Sequence, residues 1–374
     1  MAAAAHIHSA MDARRLAKRR LPWMIFDYID GAAGAETGAA RTRAALDAIT
    51  LRPRVLRDVS QRSLATTLFG APADMPFGIA PMGMCNLSAP GADLMLARLA
   101  ARHSIPHGVS TVASTPLEKI IEVAQGHAWF QLYFSGDGTG TFKLVERARS
   151  AGYKTLVLTV DVPEVGRRPR ELRHGFKMPF RIGPRQFIDF ALHPRWSLTS
   201  LAAGKPQMAN FDMPGYSFDR TESRARATWD TLARLRDMWP GNLVVKGVLD
   251  ARDAQALQRA GVDAIQVSSH GARQLESAPA PIDVLPDIRA AVGPDFPLFY
   301  DSGLRSGEDV LRALTRGADF TFFGRSLQFA MAAGGEAGLN QLWSVFKSEL
   351  SIAMAQCGLQ DLQNVPSAHG PAPS

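Results

Sequence analysis

From about residue 76 onward, short runs of apolar and β-branched residues alternate with longer stretches in which apolar positions recur every three to four residues. The first pattern is that of a strand covered on both faces, the second that of a helix with one buried stripe. The strand-like runs are Pro76–Ala80, His107–Thr111, Ala128–Tyr133, Thr155–Asp161, Leu243–Gly247, Ala264–Ser268, Pro297–Asp301 and Phe320–Gly324. Three helix-to-strand joints carry a glycine, Gly152, Gly261 and Gly317, where a helix ends in the left-handed conformation that glycine adopts at least cost. Eight strand–helix units predict an α/β protein with a (β/α)8 barrel over about 76–356, behind an N-terminal helical extension. The chain, 1–374, is read as one domain.

The spacing breaks once, where about eighty residues separate Asp161 from Leu243, far more than an ordinary connection. The inserted segment, about 169–220, runs through Pro179, Pro184, Pro194, Pro206 and Pro214. It sets Phe187, Ile188, Phe190, Leu192 and Trp196 beside Arg181, Arg185 and Arg195. Following strand four, it belongs at the C-terminal face of the barrel, as a lid, a docking patch or a partly mobile loop with its aromatics tucked under it. The tail 365–374 has the composition of a disordered segment.

With 374 residues, 46% hydrophobic and 21% charged, the chain can build a large core. No apolar run approaches the roughly 20 residues that span a bilayer, and the N-terminus has no secretory pattern. Cys85 and Cys357 make neither a disulfide framework nor a metal site. A cytoplasmic setting is expected, with no metal. Part of the net charge of +7 lies in Arg14, Arg15, Lys18, Arg19 and Arg20, on a helix that Ser9 is placed to cap. This run is read as a solvated face, and no motif for a nucleic-acid partner accompanies it.

A barrel assembles its chemistry where strands end, and these ends are rich in it. The first offers Pro81, Met82 and Gly83, the second Ser110, the third Gln131 and Tyr133, and the fourth Thr159 and Asp161. Lys246 lies inside the apolar fifth strand, where a cation needs an anionic partner: a Schiff-base substrate, a carboxylate or a cofactor that becomes anionic. After the sixth strand come His270, suited to proton abstraction, and Arg273, whose planar fork fits a carboxylate. Asp161 either orients His270 or caps a helix. Asp301, Ser302, Gly303 and Arg305, with Gly324 and Arg325, give two glycine–arginine loops in the place where barrels often hold phosphate.

Ser268–Leu275 (SSHGARQL), together with Phe130–Tyr133, Leu158–Asp161, Val245–Gly247, Asp301–Arg305 and Gly324-Arg325, resembles the FMN-dependent α-hydroxy-acid oxidases and dehydrogenases, from about Leu21 to Leu362. The resemblance implies FMN as cofactor and oxidation of an L-2-hydroxy acid, lactate- or mandelate-like, to the 2-oxo acid. Electrons would pass to a quinone, another carrier or oxygen. It makes His270 the base, supported by Asp161. Tyr28, Arg168 and Arg273 become carboxylate ligands, and Tyr133 a contact of the substrate hydroxyl. Lys246 would face the flavin, lined by Pro81, Met82, Gly83, Ser110, Gln131 and Thr159. Asp301–Arg305, Gly324 and Arg325 would hold its phosphate. It also implies a homo-tetramer or larger assembly, and peripheral contact with the inner face of the cell membrane through about 181–201. An FMN enzyme acting on a modified peptide and a non-catalytic flavin-binding scaffold are other readings, and intact His270, Arg273, Tyr28 and Lys246 argue against the second. The chain departs from the family in Ser269 (usually Asn), Glu276 (commonly Asp) and Met82 (usually small). Gly83 is the residue of the dehydrogenases, where the oxidases tend to have Ala, and Val112 stands where glycolate oxidases carry an aromatic.

Overall fold

The computed structural model describes residues 6–176, 182–204, 208–211, 213, 223–363 and 365. Pro179, Arg181, Pro206, Pro214 and the tail from 366 onward lie outside them. Two short strands, β1 (Thr66–Leu68) and β2 (Ala71–Ala73), form an antiparallel hairpin. Eight parallel strands then close a barrel in the order β10-β3-β4-β5-β6-β7-β8-β9. They are β3 (Phe77–Met82), β4 (His107–Ser110), β5 (Ala128–Leu132), β6 (Thr155–Thr159), β7 (Asn242–Val248), β8 (Ala264–Val267), β9 (Leu298–Asp301) and β10 (Phe320–Phe323).

Each barrel strand overlaps the run expected for it, ending within two residues of the expected end. The predicted joints form as argued: Gly152, Gly261 and Gly317 have φ of 94°, 78° and 106°. Trp129, Val157, Val244, Phe299, Phe320 and Phe322 fill the barrel's interior as a buried cluster of their own. Phe69, at the hairpin turn, packs on Trp129 and Phe299 and plugs the N-terminal end. The active face is therefore the other end, where β strands stop.

Three N-terminal helices cover that face. Ser9 caps the first, Ala10–Arg20, by accepting from the Asp12 amide, and the helix packs along the long C-terminal helix Arg325–Gln356. The basic run is only partly a solvated face, since Arg14 turns inward to a bidentate pair with Asp30. The second helix, Trp23–Asp30, has Pro22 at its N-cap position and no side chain of its own sequence to cap it. Its cap comes instead from the insertion. The buried Asp189 carboxylate accepts from the amides of Trp23 at 3.0 Å and Met24 at 3.3 Å. Such a cap typically stabilises a helix by about 1 kcal/mol.

The insertion holds the helices Pro169–Arg173, Pro184–Leu192 and Pro194–Ala203. Val365, assigned by composition to the tail, is buried against the core. Its apolar side chain gains more by packing than its polar neighbours predict.

Candidate active site

Loops at the strand ends surround a cavity of about 640 Å3. On one wall, β8 delivers a turn in which His270, Gly271 and Ala272 all have left-handed φ, 56°, 63° and 60°. Two of these are not glycine, so the turn stores strain of the kind that persists where surrounding contacts over-determine it. Those contacts are present. The Ser268 hydroxyl accepts from the His270 amide, the Ser269 hydroxyl from the Ala272 amide, and the Ser302 hydroxyl from the Gly271 amide. Ser269 thus caps the turn with its hydroxyl.

His270 Nδ1 lies 2.9 Å from Asp161 Oδ1. No helix follows Asp161 directly, so it orients the imidazole rather than capping. Gly247 permits this approach: it bulges at φ 104°, and a Cβ there would meet Asp161 Cβ at 2.5 Å. With Nδ1–H donating to the carboxylate, Nε2 keeps its lone pair. That nitrogen faces the Tyr133 hydroxyl at 3.4 Å. Burial pushes the Tyr133 phenol up, so at neutral pH it remains a hydrogen-bond donor.

Arg273 is fixed by two carbonyls. Its Nη1 donates to the oxygens of Tyr28 at 2.9 Å and Gly31 at 2.7 Å, and its Nη2 to Glu171 Oε1 at 2.9 Å, which leaves Nε for a further acceptor. Burial, and then the nearby Arg168, lower its pKa to about 10, which leaves it charged at neutrality. Tyr28 stacks on Phe176 at 4.2 Å and points its hydroxyl toward the Gly83 carbonyl. Arg168 lines the same cavity, and its Nε is buried without a partner. Tyr28, Arg168 and Arg273 are thus brought together at one end.

Behind them, Lys246 is buried in β7, with Nζ 2.6 Å from Ser268 Oγ and 2.7 Å from Asp301 Oδ2. Of the partners open to this lysine, a carboxylate is present. Asp301 also accepts from Gln266 and Ser268. Burial opposes its charge, but Lys246 and these donors prevail and hold its pKa below the usual carboxylate range. Asp301 is therefore anionic and engaged with Lys246, at the start of the loop expected to hold phosphate. Gln131 links Ser110 and Thr159, its Nε2 donating to Thr159 Oγ1 at 3.0 Å while its Oε1 accepts from Ser110 Oγ at 3.1 Å. Met82 and Gly83 line the cavity with Pro81. A Cβ on Gly83 would meet Val112 Cγ2 at 2.4 Å, so the glycine and Val112 are fitted to each other.

At the far end, Ser302, Gly303, Arg305, Gly324 and Arg325 gather. Arg325 is anchored by the carbonyls of Asp30 and Gly271. No ion pair holds Arg305 among the described residues. Burial lowers both guanidinium pKa values, and the crowding of Arg43 and Arg14 adds to this at Arg305. Positive charge without a matching acid, beside glycines, fits a phosphate. Ala80, Met82 and Phe322 line the same cavity with Thr159 and Lys246, an apolar lining with a polar edge that suits a flat ring carrying polar atoms. The residues present therefore suit FMN.

Sequence reasoning missed Glu171, Phe176, Asp189 and Arg224. The last stacks its guanidinium over Tyr133, 4.6 Å from the ring centroid. All four come from the insertion or its flanks, where no periodic pattern guides assignment.

The family model of FMN-dependent dehydrogenases matches residues 17–370. The chain is 36% identical over 368 residues to the (S)-mandelate dehydrogenase of Pseudomonas putida, covering 96% of this chain and 93% of that one. It is 37% identical over 376 residues to the L-lactate dehydrogenase of Pectobacterium atrosepticum, covering 96% of each. The crystal structure of the monotopic membrane protein (S)-mandelate dehydrogenase superposes with a TM-score of 0.94 at 35% identity, covering 98% of this chain and 100% of that one. A mandelate oxidase with benzoyl-formic acid superposes with a TM-score of 0.84 at 34% identity, covering 96% and 97%. The chain belongs to the family of FMN-dependent dehydrogenases.

Proposed function

We propose that the protein oxidises an L-2-hydroxy acid to the 2-oxo acid, with His270 as general base. The observation that carries this is the placement of His270 Nε2 in the cavity, with Nδ1 on Asp161 and the Arg273 fork beside it. Arg273, Arg168 and Tyr28 hold the substrate carboxylate. Tyr133 donates to the substrate oxygen, and His270 takes a proton at Nε2 as the substrate is oxidised. Asp161 stabilises the imidazolium that results. Bound FMN supplies the two-electron acceptor, and Lys246 places a cation at the wall expected to face it. Named relatives that act on lactate and mandelate favour this substrate class.

Gly83 favours transfer of the electrons to a quinone or similar carrier over oxygen. The insertion supports a membrane site for that carrier. Phe187, Ile188, Leu192, Leu198 and Leu201 are exposed on its helices and Ile182 just before them, with Arg185 and Arg195 among them. Apolar side chains flanked by arginines suit the surface of an anionic bilayer. Among the described residues, no helix is long and apolar enough to cross a membrane.

The test is anaerobic mixing of the FMN-loaded protein with L-2-hydroxy acids from glycolate to mandelate, followed by reoxidation with oxygen or a soluble quinone. Bleaching of the flavin by at least one acid is expected, with faster reoxidation by the quinone. A flavin that stays oxidised throughout overturns the proposal, and faster reoxidation by oxygen assigns an oxidase instead. Flotation with anionic vesicles, lost in a Phe187→Ser, Leu198→Ser variant, tests the membrane site.

A further inference from the structure

Arg224 lies outside the groups that the proposed oxidation uses, yet it lines the same cavity. Its backbone is tied to the end of the fourth strand loop, the amide donating to the Pro163 carbonyl at 3.3 Å. Its guanidinium lies over Tyr133, whose hydroxyl meets His270. The cation is therefore one aromatic ring away from the proposed base, on the side opposite Asp161's hold on the imidazole.

Among the described residues, the acids of the neighbourhood are engaged elsewhere. Asp161 is bound to His270, Glu171 to Arg168 and Arg273, and Glu164 to the Ser223 hydroxyl. Among the described residues, no carboxylate lies within ion-pair distance of Arg224. Around it the cavity wall is apolar, with Val112, Val165 and Met208. A half-buried guanidinium gains from a ring face, but its in-plane donors remain directed away from that face. Those donors suit a second carboxylate.

We propose that Arg224 forms a second anion site in the substrate cavity, so that the preferred substrates are L-2-hydroxy acids with a further carboxylate at the end of a short apolar chain. This rests on the reading of the protein as a hydroxy-acid dehydrogenase. One carboxylate takes the Arg273 end, the carbon chain crosses the Val112 and Val165 wall, and the distal carboxylate meets Arg224.

Calorimetry on the FMN-loaded protein with the product pair 2-oxoglutarate and 2-oxovalerate isolates the distal charge, since the two differ by a carboxylate in place of a methyl. Tighter binding of the diacid, by about tenfold at low salt and less as salt rises, is expected. Arg224→Gln should bring the ratio near one while leaving 2-oxovalerate unchanged, and Arg224→Lys should keep part of it. Equal binding of the two by the unaltered protein, or a ratio untouched by Arg224→Gln, overturns the proposal and leaves Arg224 as a stacking residue. Flavin bleaching by L-2-hydroxyglutarate and L-2-hydroxyvalerate is read in parallel. Bleaching by neither removes the dehydrogenase reading for these acids, while the binding ratio still decides the anion site.

Discussion

Glu171 Oε1 accepts from Nη2 of Arg273 at 2.9 Å and from Nη1 of Arg168 at 2.9 Å. A protein carboxylate thus sits on both arginines assigned to the substrate carboxylate. It offsets their charge and competes for their donors. Glu171→Gln removes the competing charge and keeps the shape. The variant should bind a simple 2-oxo acid about fivefold more tightly, from ~1 kcal/mol of screened attraction. Calorimetry measures this. Weaker binding would show that Glu171 serves chiefly to aim the Arg273 fork.

His270→Ala should retain FMN and its yellow colour, because no contact of this side chain reaches the arginines at the phosphate end. Flavin reduction by a hydroxy acid should slow by roughly 100- to 10,000-fold, the usual reach of general-base catalysis. Stopped-flow absorbance decides it, and near-normal reduction would remove the base assignment.

Removing Lys246 strands a carboxylate. Lys246→Met leaves Asp301 buried and ionised without its cation, a loss on the order of 3–5 kcal/mol. The Asp301 pKa lies below the ordinary range, so this pair contributes stability above the unfolded carboxylate value and loses it as pH falls through the folded one. The Tm deficit of Lys246→Met should therefore be full at pH 7 and shrink in acid. Adding Asp301→Asn should recover part of it at pH 7. A double variant as unstable as the single one would count against the pair.

His107, at the start of β4, is buried, and burial alone lowers its pKa to about 3. The unfolded chain, with an ordinary histidine value near ~6.5, binds the proton more readily. Stability from the neutral imidazole is complete above that value and is lost as pH falls toward 3. His107→Gln should flatten this part of the profile: the Tm difference between variant and parent should narrow between pH 7 and pH 5. A difference constant with pH would mean that His107 does not titrate on unfolding.

Much of the barrel was legible because its strands are apolar on both faces and because Gly152, Gly261 and Gly317 mark helix ends. The hairpin Thr66–Ala73 was not, since three-residue strands containing Pro72 carry no alternating pattern. Strand-end residues were legible as chemistry but not always as geometry. Asp301 reads as part of a glycine–arginine loop, yet it is the last residue of β9, and the pleat turns it inward to Lys246 while Tyr300 points the other way. Glu171, Asp189 and Arg224 were invisible for a different reason. Each acts on a residue roughly a hundred positions away or more, a partner that no local spacing along the chain could indicate.

The Asp189 cap makes the exposed insertion and the helix bearing Tyr28 one mechanical body. Peeling the insertion from the molecule would strip two amides of their acceptor at the start of that helix. Arg170, from the same insertion, grips Asp27 and Asp30 further along it. Whatever surface the insertion rests on therefore bears directly on the position of Tyr28. The protein has in effect placed its outermost apolar ground and its substrate floor on a single plank.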